Sequence, residues 1–351
     1  MSKILKNIRN NFLIILKNTF IIILIVELFF TFILDYRSKV ELSTCKRIYD
    51  KKNNFNFYSP NCENIIKHWE QDNFVSYKIN SEGRRDLASQ NYNSKKIAFI
   101  GDSFTFGAMV PIEDNYNFYA FNKILKNSFE VHNYGIPAEQ LHNVFNKLKT
   151  LDESKYNYFI YGLTPNDFFD LVDGSYNGKP KDINEVNKKD ENKKKNMVIF
   201  KKIKNYLLST GTSRFILHSL MSNDSIYLTT YLSRTPYSGY LLENLPVEWV
   251  KAIDYFDKSL NSLKAKHKSK LKIFILPQRA EVVSNRLNSY IPTFVTTIVA
   301  ICNKNKIDCS FPDINLLSNI KESHFPVDGH LTIEGNHNVA KSLSKWVKNW
   351  N

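Results

Sequence analysis

The sequence predicts an α/β domain built on a parallel sheet of about five strands, preceded by one N-terminal transmembrane helix. Three observations predict it. Short apolar runs that stop at Gly or Pro recur from residue 95 onward, stretches long enough for helices separate them, and residues 12–34 are almost continuously apolar. Buried strands alternating with helices imply βαβ units and hence a parallel sheet.

In chain order, Lys3, Lys6 and Arg9 lie in a basic flank (1–11) before FLIILKNTFIIILIVELFFTFIL. About 20 apolar residues span a bilayer, so 12–35 is expected as an anchor. Lys17 can snorkel from one end. Glu27 is the exception, since a mid-span carboxyl costs a few kcal/mol. No Ala-x-Ala-like cleavage site follows, and the basic flank places the chain from Asp35 onward outside the cytoplasm, periplasmic or at the cell surface. Residues 36–94, polar and aromatic, are expected as a stalk and lead-in. The main domain is 95–351. Its strands are KKIAFIG (95–101), EVHNYG (130–135), YNYFIYG (156–162), LKIFILP (271–277) and IDCSFP (307–312). Helices are expected over 115–128, 138–150, 248–267 and 333–348. Residues 173–246 form an insertion: a charged stretch, then helical spacing over 197–221. It is either a lid or a helical pair on the domain's flank.

The chain has 351 residues, a formal net charge of +14 and 43% hydrophobic residues, enough for a sizeable core. Its lysines are dispersed and no nucleic-acid reader motif is present, which argues against a nucleic-acid partner. Lys193–Lys195 reads as a solvated run, with an anionic polymer or lipid headgroup as the alternative. The aromatics of NFNFY (54–58) read as packing or as a carbohydrate platform. Of four cysteines, Cys45 and Cys62 are near neighbours, as are Cys302 and Cys309. Two local bridges are the simplest pairing, and their spacing fits no common zinc pattern. There is no phosphate loop or dinucleotide fingerprint, so neither cofactor nor metal is expected.

Ligands of open parallel sheets bind beyond the carboxyl ends of the strands. Gly101-Asp102-Ser103, Asn133-Tyr134-Gly135 and Gly162-Leu163-Thr164-Pro165-Asn166-Asp167 fall there, and Asp328-Gly329-His330 lies near the C-terminus. Singly, each has a plain structural reading: Asp102 or Ser103 as a helix cap, Gly135 as a strand end, Asn166-Asp167 as a cap, and His330 as a surface or core histidine. His132 and His142 follow no ligand pattern. Together the four blocks supply one chemistry. Ser103 needs a base to accept its proton, which His330 supplies, and Asp328 can fix the tautomer of His330. The N–H groups of Ser103 and Gly135 and the amide of Asn166 can hold an oxyanion. His324, without a preceding Asp, is a lesser candidate for the base.

GDSFTFG, NYG, GLTPND and DGH, in that order, resemble the SGNH (GDSL) hydrolase superfamily, over roughly 78–172 and 270–351. INSEGRRD (79–86) is similar to the lead-in of membrane-anchored bacterial members. The resemblance implies a three-layer α/β/α, flavodoxin-like fold, with the four name-giving residues at Ser103, Gly135, Asn166 and His330. Two departures stand out. Many esterases of the family have Asp-x-x-His, whereas Asp328-x-His330 is similar to the branch that acetylates exported polysaccharides, and the third block carries extra residues.

The implied function is a serine esterase that removes acyl, chiefly acetyl, groups from an envelope or extracellular glycan through a Ser103 acyl-enzyme. A small ester is the simpler substrate. The alternatives are an O-acetyltransferase supplied by a membrane acyl-donor partner, and a catalytically silent scaffold of a glycan assembly machine.

Overall fold

The computed structural model describes residues 2–29, 38–87, 95–126, 129–175, 210–234, 236–288 and 293–350. Most of the expected charged stretch of the insertion, with Lys193–Lys195 and the first part of 197–221, lies outside the described residues.

The lead-in is built of strands. β1 (Lys39–Ser43), β2 (Arg47–Asp50), β3 (Phe55–Tyr58), β4 (Cys62–Lys67) and β5 (Val75–Ile79) form two small antiparallel sheets, β1-β4-β5 and β2-β3. A disulfide ties Cys45, in the link between β1 and β2, to Cys62 at the start of β4. Buried contacts fasten this region to the main domain. Asn56 on β3 donates to Glu139 at 2.8 Å, and Glu139 pairs with the buried Lys147 at 2.9 Å. The NFNFY aromatics thus belong to a packed strand.

All five expected strands of the main sheet are present: β6 (Lys96–Gly101), β7 (Glu130–Asn133), β8 (Tyr158–Leu163), β9 (Leu271–Ile275) and β10 (Asp308–Ser310). Every pairing is parallel, in the order β10-β9-β8-β6-β7. Ile97, Ala98, Phe99 and Ile100 of β6 are fully buried, as expected of a strand covered on both faces. Alternate residues meet different helices. Phe99 packs on Phe121 (ring centroids 5.8 Å) and Phe274 on Trp346 (5.6 Å) of the helix Ile333–Val347. On the opposite face Tyr161 meets Phe145 (6.2 Å) of the helix Leu141–Thr150, which itself meets Phe256 (6.0 Å) of the helix Val247–Asn261. These are the three layers. The second bridge, Cys302–Cys309, ties the helix Thr293–Lys304 to β10.

The expected membrane anchor is corrected. Among the described residues no helix is long and apolar enough to cross a membrane, and the extracytoplasmic placement drawn from an anchor falls with it. The helix Ser2–Leu28 is interrupted by Lys17 and Asn18 and again by Glu27, which leaves an apolar run well short of the about 20 residues a span requires. Glu27 has a different use. Its carboxylate accepts the N–H groups of Gly211 (2.6 Å) and Thr212 (3.0 Å), the orphan donors opening the helix Gly211–Met221.

Candidate active site

The sheet order makes the chain reverse direction between β6 and β8, and a crevice at such a reversal is where open α/β sheets bind ligands. β6 stops at Gly101, and a four-residue helix, Ser103–Phe106, follows at once. Asp102 caps it, accepting the Phe104 N–H at 2.9 Å, so Ser103 is its first residue. Gly107 ends it at φ +80°, a conformation that favours glycine. A helix this short leaves buried carbonyls without intrahelical partners, and the surrounding chain supplies them. Asn115, Asn117 and Asn133 donate to the Thr105 carbonyl at 3.2, 3.1 and 3.0 Å. The fully buried Arg85 donates to the carbonyls of Phe106 (3.0 Å), Gly107 (2.6 Å) and Val110 (2.8 Å). Arg85 is the second arginine of INSEGRRD.

His330 Nε2 lies 2.7 Å from Ser103 Oγ, and its Nδ1 is hydrogen-bonded to Asp328. Burial lowers the pKa of His330, but the bond and charge of Asp328 outweigh it and the net shift is upward. Asp328 shows the converse: burial pushes its carboxyl up, and the His330 bond brings it below the usual value. His324 is not part of this arrangement. It is fully buried with Nδ1 2.9 Å from Ser323 Oγ, and burial drives its pKa down to about 3. His132 and His142 pair with Glu130 (2.7 Å) and Asp170 (3.0 Å) instead.

Asn166 Nδ2 donates to Asp102 at 2.8 Å, which sets it beside the turn that carries Ser103. The extra residues of this block form a cap: Thr164 and Asp167 make a capping box with Pro165 as first residue. Asp167 is consumed there, accepting Tyr161 Oη at 2.7 Å and the Thr164 N–H at 3.0 Å. Gly135 is glycine for a reason the sequence did not suggest. A Cβ there would come within 2.3 Å of the Phe106 nitrogen, so the β7 loop packs directly on the Ser103 helix. Its N–H is engaged by Asn133 Oδ1 at 2.9 Å, and a substrate oxygen would compete with that acceptor.

Sequence reasoning missed the groups that hold the Asp328–His330 loop. Glu70, from the lead-in, accepts the N–H groups of Val327 (2.9 Å) and Asp328 (2.8 Å). Burial lifts its pKa to about 7, against those two N–H groups and Arg279. Arg279 donates to the Pro326 carbonyl and, at 2.6 Å, to that of Met221, while lying 4.0 Å over the Tyr227 ring. The loop is therefore braced from the lead-in on one side and from the inserted helices on the other. A charged residue next to Trp in HWEQDN was the only local sign of Glu70.

No family model matches the chain, and no curated protein does. Among solved structures it is similar to a protein of the G-D-S-L family from Desulfitobacterium hafniense DCB-2, at 14% identity and TM-score 0.35, covering 72% of this chain and 99% of that one. It is also similar to Axe2, an acetylxylan esterase from Geobacillus stearothermophilus (11%, TM-score 0.38, 74% and 96%). A third is TesA (10%, TM-score 0.36, 72% and 98%). Likenesses of this size leave the activity to be argued from the chain's own residues.

Proposed function

We propose that the protein is an SGNH-type serine esterase acting on O-acyl groups, with Ser103 as nucleophile. The observation that carries this is His330, with Nε2 2.7 Å from Ser103 Oγ and Nδ1 on Asp328. Ser103 Oγ attacks the ester carbonyl as its proton passes to His330 Nε2. Asp328 holds the tautomer and stabilises the imidazolium. The Ser103 N–H and the second amide hydrogen of Asn166 receive the oxyanion. His330 returns the proton to the leaving alcohol, and water, activated by the same imidazole, releases the acid.

Glycan O-acetyl groups are the substrate class we favour. Trp69, adjacent to Glu70, is half-buried beside the Asp328 loop, edge-on to His218 (6.3 Å) with Arg214 over its face (5.9 Å). A partly exposed indole adjacent to the residue that holds the Asp328 loop suits a sugar ring. The test is hydrolysis of an aryl acetate and of acetylated xylo- or gluco-oligosaccharides by the full chain and by Ser103→Ala. Release of acetate by the wild type alone supports the reading; equal release by Ser103→Ala overturns it. Acetate moved onto an unacetylated sugar, instead of water, would make the enzyme a transferase.

A further inference from the structure

A side-chain amide can donate to an oxyanion only if its NH2 end faces that way, and the two ends of Asn differ by one rotation about a single bond. In this protein both ends of Asn166 are addressed. Nδ2 donates to the Asp102 carboxylate at 2.8 Å, and Oδ1 accepts from Gln278 Nε2 at 2.8 Å and from Thr164 Oγ1, a hydroxyl shared with Asp102. Gln278 follows β9, far from Asn166 in sequence, and its own orientation is determined in turn. Its Oε1 accepts Tyr231 Oη at 3.1 Å, and Tyr240 Oη lies 3.2 Å from the same oxygen. Both tyrosines belong to the insertion. Its backbone N–H is held by Glu281 at 2.7 Å. With Oε1 committed to hydroxyl donors, Gln278 presents only its NH2 to Asn166.

We propose that Gln278 is a positioning residue that fixes the Asn166 amide with its NH2 end toward Ser103, and that the inserted segment carrying Tyr231 and Tyr240 holds Gln278 in that orientation. This rests on the esterase reading. It gives the described part of the insertion a role as a strut for the oxyanion donor. Burial pushes both phenols far above their ordinary pKa, so each hydroxyl keeps its proton and remains able to donate.

The test exploits an opposition between shape and hydrogen-bond sense. Gln278→Glu keeps the shape and the tyrosine acceptor but sets a carboxylate against Asn166 Oδ1, and because Nδ2 is bound to the Asp102 carboxylate the amide cannot turn to accommodate it and is displaced. Gln278→Met removes the donor without reversing it. With an aryl acetate and the full chain, Asn166→Ala is expected to lose about 100-fold or more in kcat, the cost of one oxyanion donor. Gln278→Glu should approach that loss and Gln278→Met should lose about tenfold, with KM held within about threefold. In the Asn166→Ala background either Gln278 change should have almost no further effect. A packing role predicts the reverse order, with Glu the milder change, and losses that multiply. Wild-type kcat in Gln278→Glu, or multiplied losses in either double variant, overturns the proposal. Thermal melts accompany each variant, and if the Glu form does not fold, the Met form carries the same comparison. Turnover by Ser103→Ala in the same assay, or an inert wild type, would overturn the esterase reading and this inference with it.

Discussion

Replacing Glu70 by Gln should slow the enzyme about 10- to 100-fold in kcat without altering the residues that touch substrate. Glu70 accepts two backbone N–H groups of the loop that carries Asp328, and its carboxylate is fully buried. Gln keeps one acceptor but sets an NH2 against the other N–H. The lost bond is charge-assisted, worth about 1.5–3 kcal/mol, and a buried donor is left unsatisfied. If that loss falls on the placement of Asp328 and His330, each 1.4 kcal/mol is about a tenfold change in rate. The pH profile gives an independent reading. Glu70, facing His68, Asp328 and Arg279, is lifted to about 7 from 4.5, chiefly by burial. Both Glu70 and His330 must be unprotonated for the braced, basic form, so the acid limb of kcat/KM should contain two ionisations in the wild type and one in Glu70→Gln. For stability the sign is opposite. A carboxyl whose pKa is raised in the fold binds more protons folded than unfolded, so it destabilises progressively from about pH 4.5 to 7, by about 3 kcal/mol at the upper end. The melting temperature of Glu70→Gln relative to wild type should therefore rise as pH rises through that window. Unchanged kcat together with an identical acid limb would refute the bracing role.

Other expectations follow from the same geometry. Asp328→Asn should reduce kcat about 10³- to 10⁴-fold, and because Asp328 is what raises His330, the apparent pKa of the remaining activity should move down; an upward shift would contradict the pairing. Arg85→Ala should destabilise by about 3 kcal/mol, because it leaves the Val110 carbonyl without its donor and those of Phe106 and Gly107 with only long contacts to Asn133 and the Val110 N–H; a melting temperature equal to wild type would show that other donors replace it. Cys302→Ala with Cys309→Ala should cost about 2 kcal/mol, the loop entropy of a seven-residue closure, measured by denaturant unfolding, with kcat retained since the bridge lies at the sheet edge.

The five strands of the main sheet were legible because each is an apolar run ended by Gly, Pro or a polar turn, a signal contained in six or seven residues. Ser103 and Asn166 stood out as candidates for a related reason: each follows such a run, where side chains turn small and polar without a turn requiring all of them, whereas Asp328 and His330 stood out only by their spacing and their place after the other blocks. What supports them was not legible. Glu70 and Val327 are 257 positions apart, and Asn166 and Gln278 are 112 apart. Nothing local marks a glutamate that will receive two distant N–H groups. The lead-in misled because its strands are short and half-exposed, so alternation is weak, and Arg85 and Asn56 reveal their use only when buried against the main domain. The apolar N-terminus misled in the other direction: hydropathy suggested a span, whereas Glu27 is used to cap the helix Gly211–Met221.

The most direct test of the central claim is intact-protein mass spectrometry after exposure of the full chain to an aryl fluorophosphonate, followed by peptide mapping, with Ser103→Ala alongside. The account predicts one adduct, on Ser103, formed at a rate that rises with pH as His330 loses its proton, and none in Ser103→Ala. An adduct elsewhere, or equal labelling of both proteins, would contradict it.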